Sequence, residues 1–131
     1  MPKHYKDLIV WNRAIELVVD VYGLAGSLPS SERFGLASQL RRACVSIPSN
    51  IAEGHERRSR KDYRRFLLLA LGSLAELETQ LVICERLELL SSKQMLSARR
   101  LADEVGRMLR ATEQKLLDEP RSPATVAELR P

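Results

Sequence analysis

A chain of 131 residues suits one domain, and 44% hydrophobic against 29% charged residues is the balance of an ordinary globular protein. Aromatics reach only 5% while Leu, Ala, Glu and Arg dominate, which favours helices over sheets because unbranched side chains lose little rotamer freedom in a helix. The net charge of +4 permits nucleic-acid contact without demanding it, and two cysteines without metal-ligand spacing favour buried reduced thiols over the alternative, a disulfide.

In chain order, the first predicted helix runs from Leu8 to Leu24 with Asp7 as N-cap, and Gly26-Ser27-Leu28-Pro29 breaks it. The second starts after Ser30 or Ser31 and reaches Glu56, with a kink expected at Pro48, whose ring removes a backbone donor. The third starts after Ser59, followed three residues on by Asp62 in a capping-box-like arrangement, and extends to Leu89. Ser91 or Ser92 caps the fourth, which ends near Leu117. Short connections imply antiparallel neighbours, so the expected fold is an all-α, up-down four-helix bundle over residues 1–117. Residues 118–131, with three prolines and five charges, read as a disordered tail. No apolar run approaches the roughly 18 residues of a membrane span, and no charged segment precedes an apolar one, so no membrane association and a cytoplasmic location are expected.

The apolar spacing carries more information. Leu36, Leu40, Ala43, Ile47 and Ile51 form one inward stripe on the second helix, and Ala98, Leu101, Val105, Met108, Thr112 and Leu116 one on the fourth. Arg99, Asp103, Arg107 and Arg110 make the fourth helix's wet face. The third helix is apolar twice over. Tyr63, Phe66, Ala70, Leu74, Leu77, Leu81 and Cys84 point inward, and Leu68, Leu71, Gly72, Ala75 and Val82 project on another side. The first helix likewise carries Leu8, Trp11, Ile15, Val18 and Tyr22 on one seam and Val10, Ala14, Leu17 and Val21 on another. A helix apolar on two faces is buried on two faces, so the second seam of the third helix is the expected homo-oligomer interface. A wider contact within one bundle is the competing explanation, stronger for the first helix than for the third.

Signals for catalysis are poor. His55-Glu56-Arg57-Arg58-Ser59 opens like a zinc-protease motif but lacks the second histidine, and His55 reads as a loop residue. No phosphate-cradling glycine loop occurs. Cys44 and His55 lie about 16 Å apart along one helix, too far for a nucleophile–base pair, and both Cys44 and Cys84 fit buried reduced thiols. No catalytic residue, metal site or cofactor is expected.

Two constellations remain. Gln39, Arg42, Ser46, Asn50 and Glu53 line one side of the second helix opposite Ser73, Glu76 and Gln80 of the third, a polar network expected to fix helix register. In it Arg42 pairs with Glu76, and Ser46 and Ser49 bond carbonyls freed by Pro48. A ligand site is the alternative there. The densest charge cluster is Arg57, Arg58, Arg60, Lys61, Arg64 and Arg65, at the corner between helices two and three. It suits RNA or DNA phosphates, unless Glu53–Arg57 and Glu56–Arg60 pairs reduce it to a solvated corner. Tyr63 points inward and is no stacking platform for bases.

Several blocks resemble the four-helix-bundle proteins encoded within 23S rRNA intervening sequences. They are Leu8-x-x-Trp11; Leu28-Pro29-x-x-Glu32-x-Phe34-Gly35-Leu36; Gln39-Leu40-x-Arg42-Ala43-x-x-Ser46-Ile47-x-x-Asn50-Ile51-Ala52-Glu53-Gly54; and Arg58-Ser59-x-x-x-Tyr63-x-x-Phe66-Leu67-x-x-Ala70-x-Gly72-Ser73-x-x-Glu76-x-Glu78. The resemblance covers Leu8 to Leu117, though the fourth helix matches only in general character. It implies an antiparallel four-helix bundle, a ring-like homo-oligomer that is typically a pentamer, and no established enzymatic activity. It also implies kinship with the accessory protein of diversity-generating retroelements, a basic pentamer that binds a reverse transcriptase and nucleic acid. The functional expectation is a non-enzymatic homo-oligomer binding RNA or DNA backbone. The alternative is a scaffold docking a partner enzyme such as a reverse transcriptase.

Overall fold

In the computed structural model, which describes residues 2–118, a short 3-10 turn at Tyr5–Asp7 precedes helix α1 (Ile9–Gly26). Leu8, not Asp7, is the N-cap of α1 and offers no side-chain bond. Asp7 is used inside the turn, and Asn12 Nδ2 instead ties down the Lys6 and Leu8 carbonyls at 2.8 and 2.9 Å. The helix outruns Leu24 because Ala25 still faces the core. Ser30–Glu32 forms a second 3-10 turn rather than the start of α2 (Leu36–Glu56), whose opening amide on Leu36 is met by Glu32 Oε1 at 3.1 Å.

Helix α2 runs unbroken through Pro48, which is buried. Ser46 Oγ bonds the Ala43 carbonyl at 2.7 Å and Ser49 Oγ that of Val45 at 2.9 Å. Both flank the carbonyl that Pro48 leaves without a partner, which is that of Cys44, so the expected rescue is not made. Ser59 caps α3 (Arg60–Arg86), its hydroxyl accepting from Asp62 N at 3.2 Å. This helix stops three residues short of Leu89. Glu88 turns into the left-handed region at φ 58°, and Leu89 and Leu90 donate back to the Cys84 carbonyl at 2.9 and 3.3 Å, which carries Leu90 into the core. Ser91 then opens α4 (Ser92–Asp118) with a full capping box, since Gln94 N donates to Ser91 Oγ and Ser91 N to Gln94 Oε1. The segment expected to be a disordered tail lies, from residue 119 on, outside the described residues.

The helices pack as a four-membered cycle in which α1 and α3 each touch both α2 and α4. Arg13 and Asp20 of α1 meet Glu104 and Ser97 of α4, and Arg64 and Glu85 of α3 meet Glu113 and Arg99 of α4. Both pairs of contacts run in opposite chain directions, the signature of an antiparallel up-down bundle. Buried positions of α1, α2 and α3 follow the predicted stripes, and Val10, Ala14, Leu17 and Val21 are the core seam of α1. The predicted stripe of α4 is rotated. Met95, Ala98, Ala102, Val105 and Leu109 are buried, while Leu101, Met108, Thr112 and Leu116 sit half-buried at the edge, because α4 wedges between α1 and α3. The glycine of α2 has a packing role: a Cβ on Gly54 would stand 2.5 Å from the Phe66 Cβ, so only glycine lets α2 and α3 approach there.

Both cysteines are buried free thiols, as expected, and burial pushes Cys44 up to about 11 and Cys84 above its ordinary range. Helix α3 departs from expectation. It contains an 18-residue stretch of mean hydropathy 1.6, apolar and long enough to cross a membrane by composition, of which 39% is buried in the bundle. Its packed seam against α2 and α4 makes it the core helix of the fold.

Candidate nucleic-acid and self-association surfaces

The six basic residues expected at the α2–α3 corner do meet there, but most are engaged. Arg57 lies 3.3 Å from Glu53 and covers the Phe66 ring at 5.1 Å; Arg65 lies 3.8 Å from Asp62 and covers the same ring at 4.5 Å. Arg64 Nε stands 2.7 Å from Glu113 Oε1 of α4, a close charge pair without the alignment of a hydrogen bond. Arg60 donates to the Leu116 carbonyl at 2.6 Å, so the expected Glu56–Arg60 pair does not form; Arg60 is used to tie α3 to the far end of α4. Arg58 and Lys61 are exposed and have no partner among the described residues. Arg58 adopts φ 58°, a left-handed conformation that costs a non-glycine residue about 1 kcal/mol. Glu113 and Leu116 had no sequence signal as corner partners, because nothing local to α3 indicates which turn of α4 lies beside it.

His55 is not a loop residue but the last turn of α2. Its Nε2 lies 2.9 Å from the Pro2 carbonyl, its ring meets Tyr63 edge-on at 5.6 Å, and Nδ1 is buried without a partner among the described residues. Tyr63 is buried as expected, its phenol shifted up by burial. Among the described residues no group of His, Cys, Asp and Glu could hold a metal ion.

The polar stripe does not assemble into one network. Arg42 is exposed and does not reach Glu76; Asn50 donates to the Ser46 carbonyl at 2.8 Å; Glu53 turns to Arg57; Glu76 accepts only from Gln80, at 3.4 Å. Asn50, Glu53 and Glu76 are each met by a residue four positions away along the chain, which costs less side-chain ordering than a reach across to the neighbouring helix. Gln80 is buried, and its Oε1 has no partner among the described residues. The fourth helix's basic face is also offset: Arg99 pairs with Glu85 at 3.1 Å and Arg107 with Asp103 at 3.3 Å. The Glu85 carboxylate is held below its ordinary range by the Arg99 hydrogen bond and then by Ser92.

The outer seam of α3 is where the sequence pattern put it. Leu68, Gly72, Ala75 and Val82 are exposed and Leu71 half-buried. Leu69 and Ile83, 47% and 40% exposed, extend it beyond the predicted residues; the signal for both is their place seven residues from Glu76, two turns along the same face. Across the molecule, Trp11, Ile15 and Val18 of α1 and Val45 and Ala52 of α2 line a groove of about 290 Å³. It continues past Val45 and Ser49 into a concavity lined by Tyr22, Arg41 and Arg42, with Arg41 stacked over the Tyr22 ring at 5.6 Å.

A bundle of four antiparallel helices with unpartnered apolar surface on two sides is the class of protein defined so far. The chain belongs to the 23S rRNA-intervening sequence protein family, whose model matches residues 6–111. It is similar to a protein of unknown function from the S23 ribosomal protein family of Bacteroides thetaiotaomicron. That crystal structure superposes with a TM-score of 0.75 at 26% identity, covering 81% of this chain and 99% of the other. No functionally curated protein matches the chain.

Proposed function

We propose that this chain is a non-enzymatic, self-associating bundle protein of the cytoplasm that holds RNA or DNA by the phosphate backbone. The observation that carries the reading is α3, a helix apolar on two sides whose outer side stands in solvent in the single chain. Exposed apolar surface of that extent on adjoining turns is the mark of an association site. The family resemblance favours a ring of five copies. Self-association repeats every basic group around the assembly, so the two corner cations without a partner among the described residues, Arg58 and Lys61, become many, and multivalency raises a weak contact. The two free buried thiols suit a reducing compartment.

A second reading rests on a specific observation: four of the six corner cations are engaged within the chain. That favours a scaffold docking a partner enzyme such as a reverse transcriptase, with no direct nucleic-acid contact.

Sedimentation equilibrium at micromolar concentration tests the first element, with several times the 14.8 kDa chain mass expected. Retention of RNA at about 50 mM salt tests the second, with log affinity falling linearly in log salt. Reversing Arg58 and Lys61 to Glu should flatten that line while helical circular dichroism stays unchanged. Absence of any RNA or DNA retention by the assembled protein leaves the scaffold reading standing.

A further inference from the structure

The outer α3 ridge and the α1/α2 groove are complementary in shape and in charge. Between Arg65 and Glu85 the only charged residues of α3 are Glu76 and Glu78. The ridge around them is Leu68, Leu69, Val82 and Ile83, with Gly72 and Ala75 leaving its middle low. A Cβ on Gly72 would meet nothing within 4 Å, so its small size answers no contact inside the chain. Along the groove the only charged lining residues are Arg41 and Arg42. Among the described residues Arg42 has no partner, and Glu76 has only the long bond from Gln80.

We infer that the α1/α2 groove of one copy seats the α3 ridge of a second copy head-to-tail, with Arg42 of the groove set against Glu76 of the ridge. The inference rests on the self-association proposed above and assigns its two faces. Pairing of like with like is disfavoured on both sides. Ridge on ridge brings Glu76 toward Glu76 with no counter-charge, and groove on groove sets two concave surfaces and their arginines together. Groove on ridge fills a concavity with a convex apolar surface and neutralises both unpaired charges. Such an interface uses a different patch on each partner, so every copy keeps one free groove and one free ridge for the next, and the contact either closes as a ring or extends as a filament.

Charge exchange tests the assignment. Arg42→Glu and Glu76→Arg are made singly and together in one full-length chain, and the concentration at half-dissociation is measured by analytical ultracentrifugation. Circular dichroism serves as the folding control, which both exposed sites should pass. Each single reversal should raise the midpoint by roughly ten-fold or more, and the double reversal should bring it back toward wild type. An Arg42→Glu chain that assembles like wild type while Glu76→Arg does not would overturn the groove as acceptor. A double variant weaker than either single would overturn the pairing. A wild-type chain that stays monomeric at the highest attainable concentration would instead remove the self-association on which the inference stands. Pro2 and the corner residues do not enter the test, so a failure of nucleic-acid binding leaves it untouched.

Discussion

The two apolar sides of α3 are made of the same kinds of residue and differ in what surrounds them. Leu67, Leu74, Leu77 and Leu81 are at most 2% exposed, whereas Leu68, Leu69, Val82 and Ile83 are 40–47% exposed on the same helix. Hydrophobicity therefore does not distinguish the core of this chain from its outer ridge; only the positions of α2 and α4 do. The lesson is that apolar composition alone does not say which side of a helix its own chain covers.

Truncation separates the sides most strongly. Leu77→Ala should cost about 2–5 kcal/mol of unfolding free energy, because the removed methyls leave a cavity with close-packed walls. Leu68→Ala should cost under about 0.5 kcal/mol in the dissociated chain, with any larger loss growing with protein concentration if the ridge is covered in the assembly. Urea titrations at two concentrations separate these outcomes, and equal, concentration-independent losses at both sites would show that the ridge belongs to the internal core.

The two glycines make the next contrast. Gly54→Ala drives a methyl into Phe66 and should destabilise by about 1–3 kcal/mol. Gly72→Ala meets no atom and should stabilise the dissociated chain by about 0.5–1 kcal/mol through helix propensity alone. If a second copy packs on Gly72, the same change should weaken assembly while it strengthens the helix.

At the corner, Arg58→Gly should relieve the left-handed backbone and raise stability by up to about 1 kcal/mol, measured by thermal unfolding, while weakening salt-sensitive RNA retention if that arginine touches phosphate. The smallest effect concerns Cys44. Its thiol sits near 9.0 when exposed and near 11 in the fold, so the folded state favours the neutral form. Stability from this site is fully present below pH 9 and declines as pH rises through 11. Thiol-reactive reagents should accordingly label the native protein far more slowly than the unfolded chain at pH 8.

Helix number, helix order and the caps of the last two helices were legible in the residues, whereas the starts of α1 and α2 were not. Ser59 and Ser91 announce the starts of α3 and α4, and α1, α2 and α3 bury the predicted stripes, since periodicity and caps are local properties of a chain. The ends were less legible. Leu89 looked helical because it is apolar, yet the pull that buries Leu90 beside Cys84 forces the turn at Glu88. The pairing of charges was the least legible. Arg42 and Glu76 match in spacing but not in reach, and Arg60, Arg64 and Arg99 found partners on other turns of other helices.

By itself the sequence determined an all-helical chain, its four segments and the surplus of apolar faces on α1 and α3. Only the tertiary structure decided which of those faces the single chain covers, that α4 turns its Ala102–Leu109 side to the core, and that four of six corner cations are engaged in place. The physical reason is the range of each interaction. Backbone hydrogen bonding and side-chain periodicity act over four residues, while burial and ion pairing depend on which distant turn comes to lie alongside, and that is set by the packing of the whole bundle.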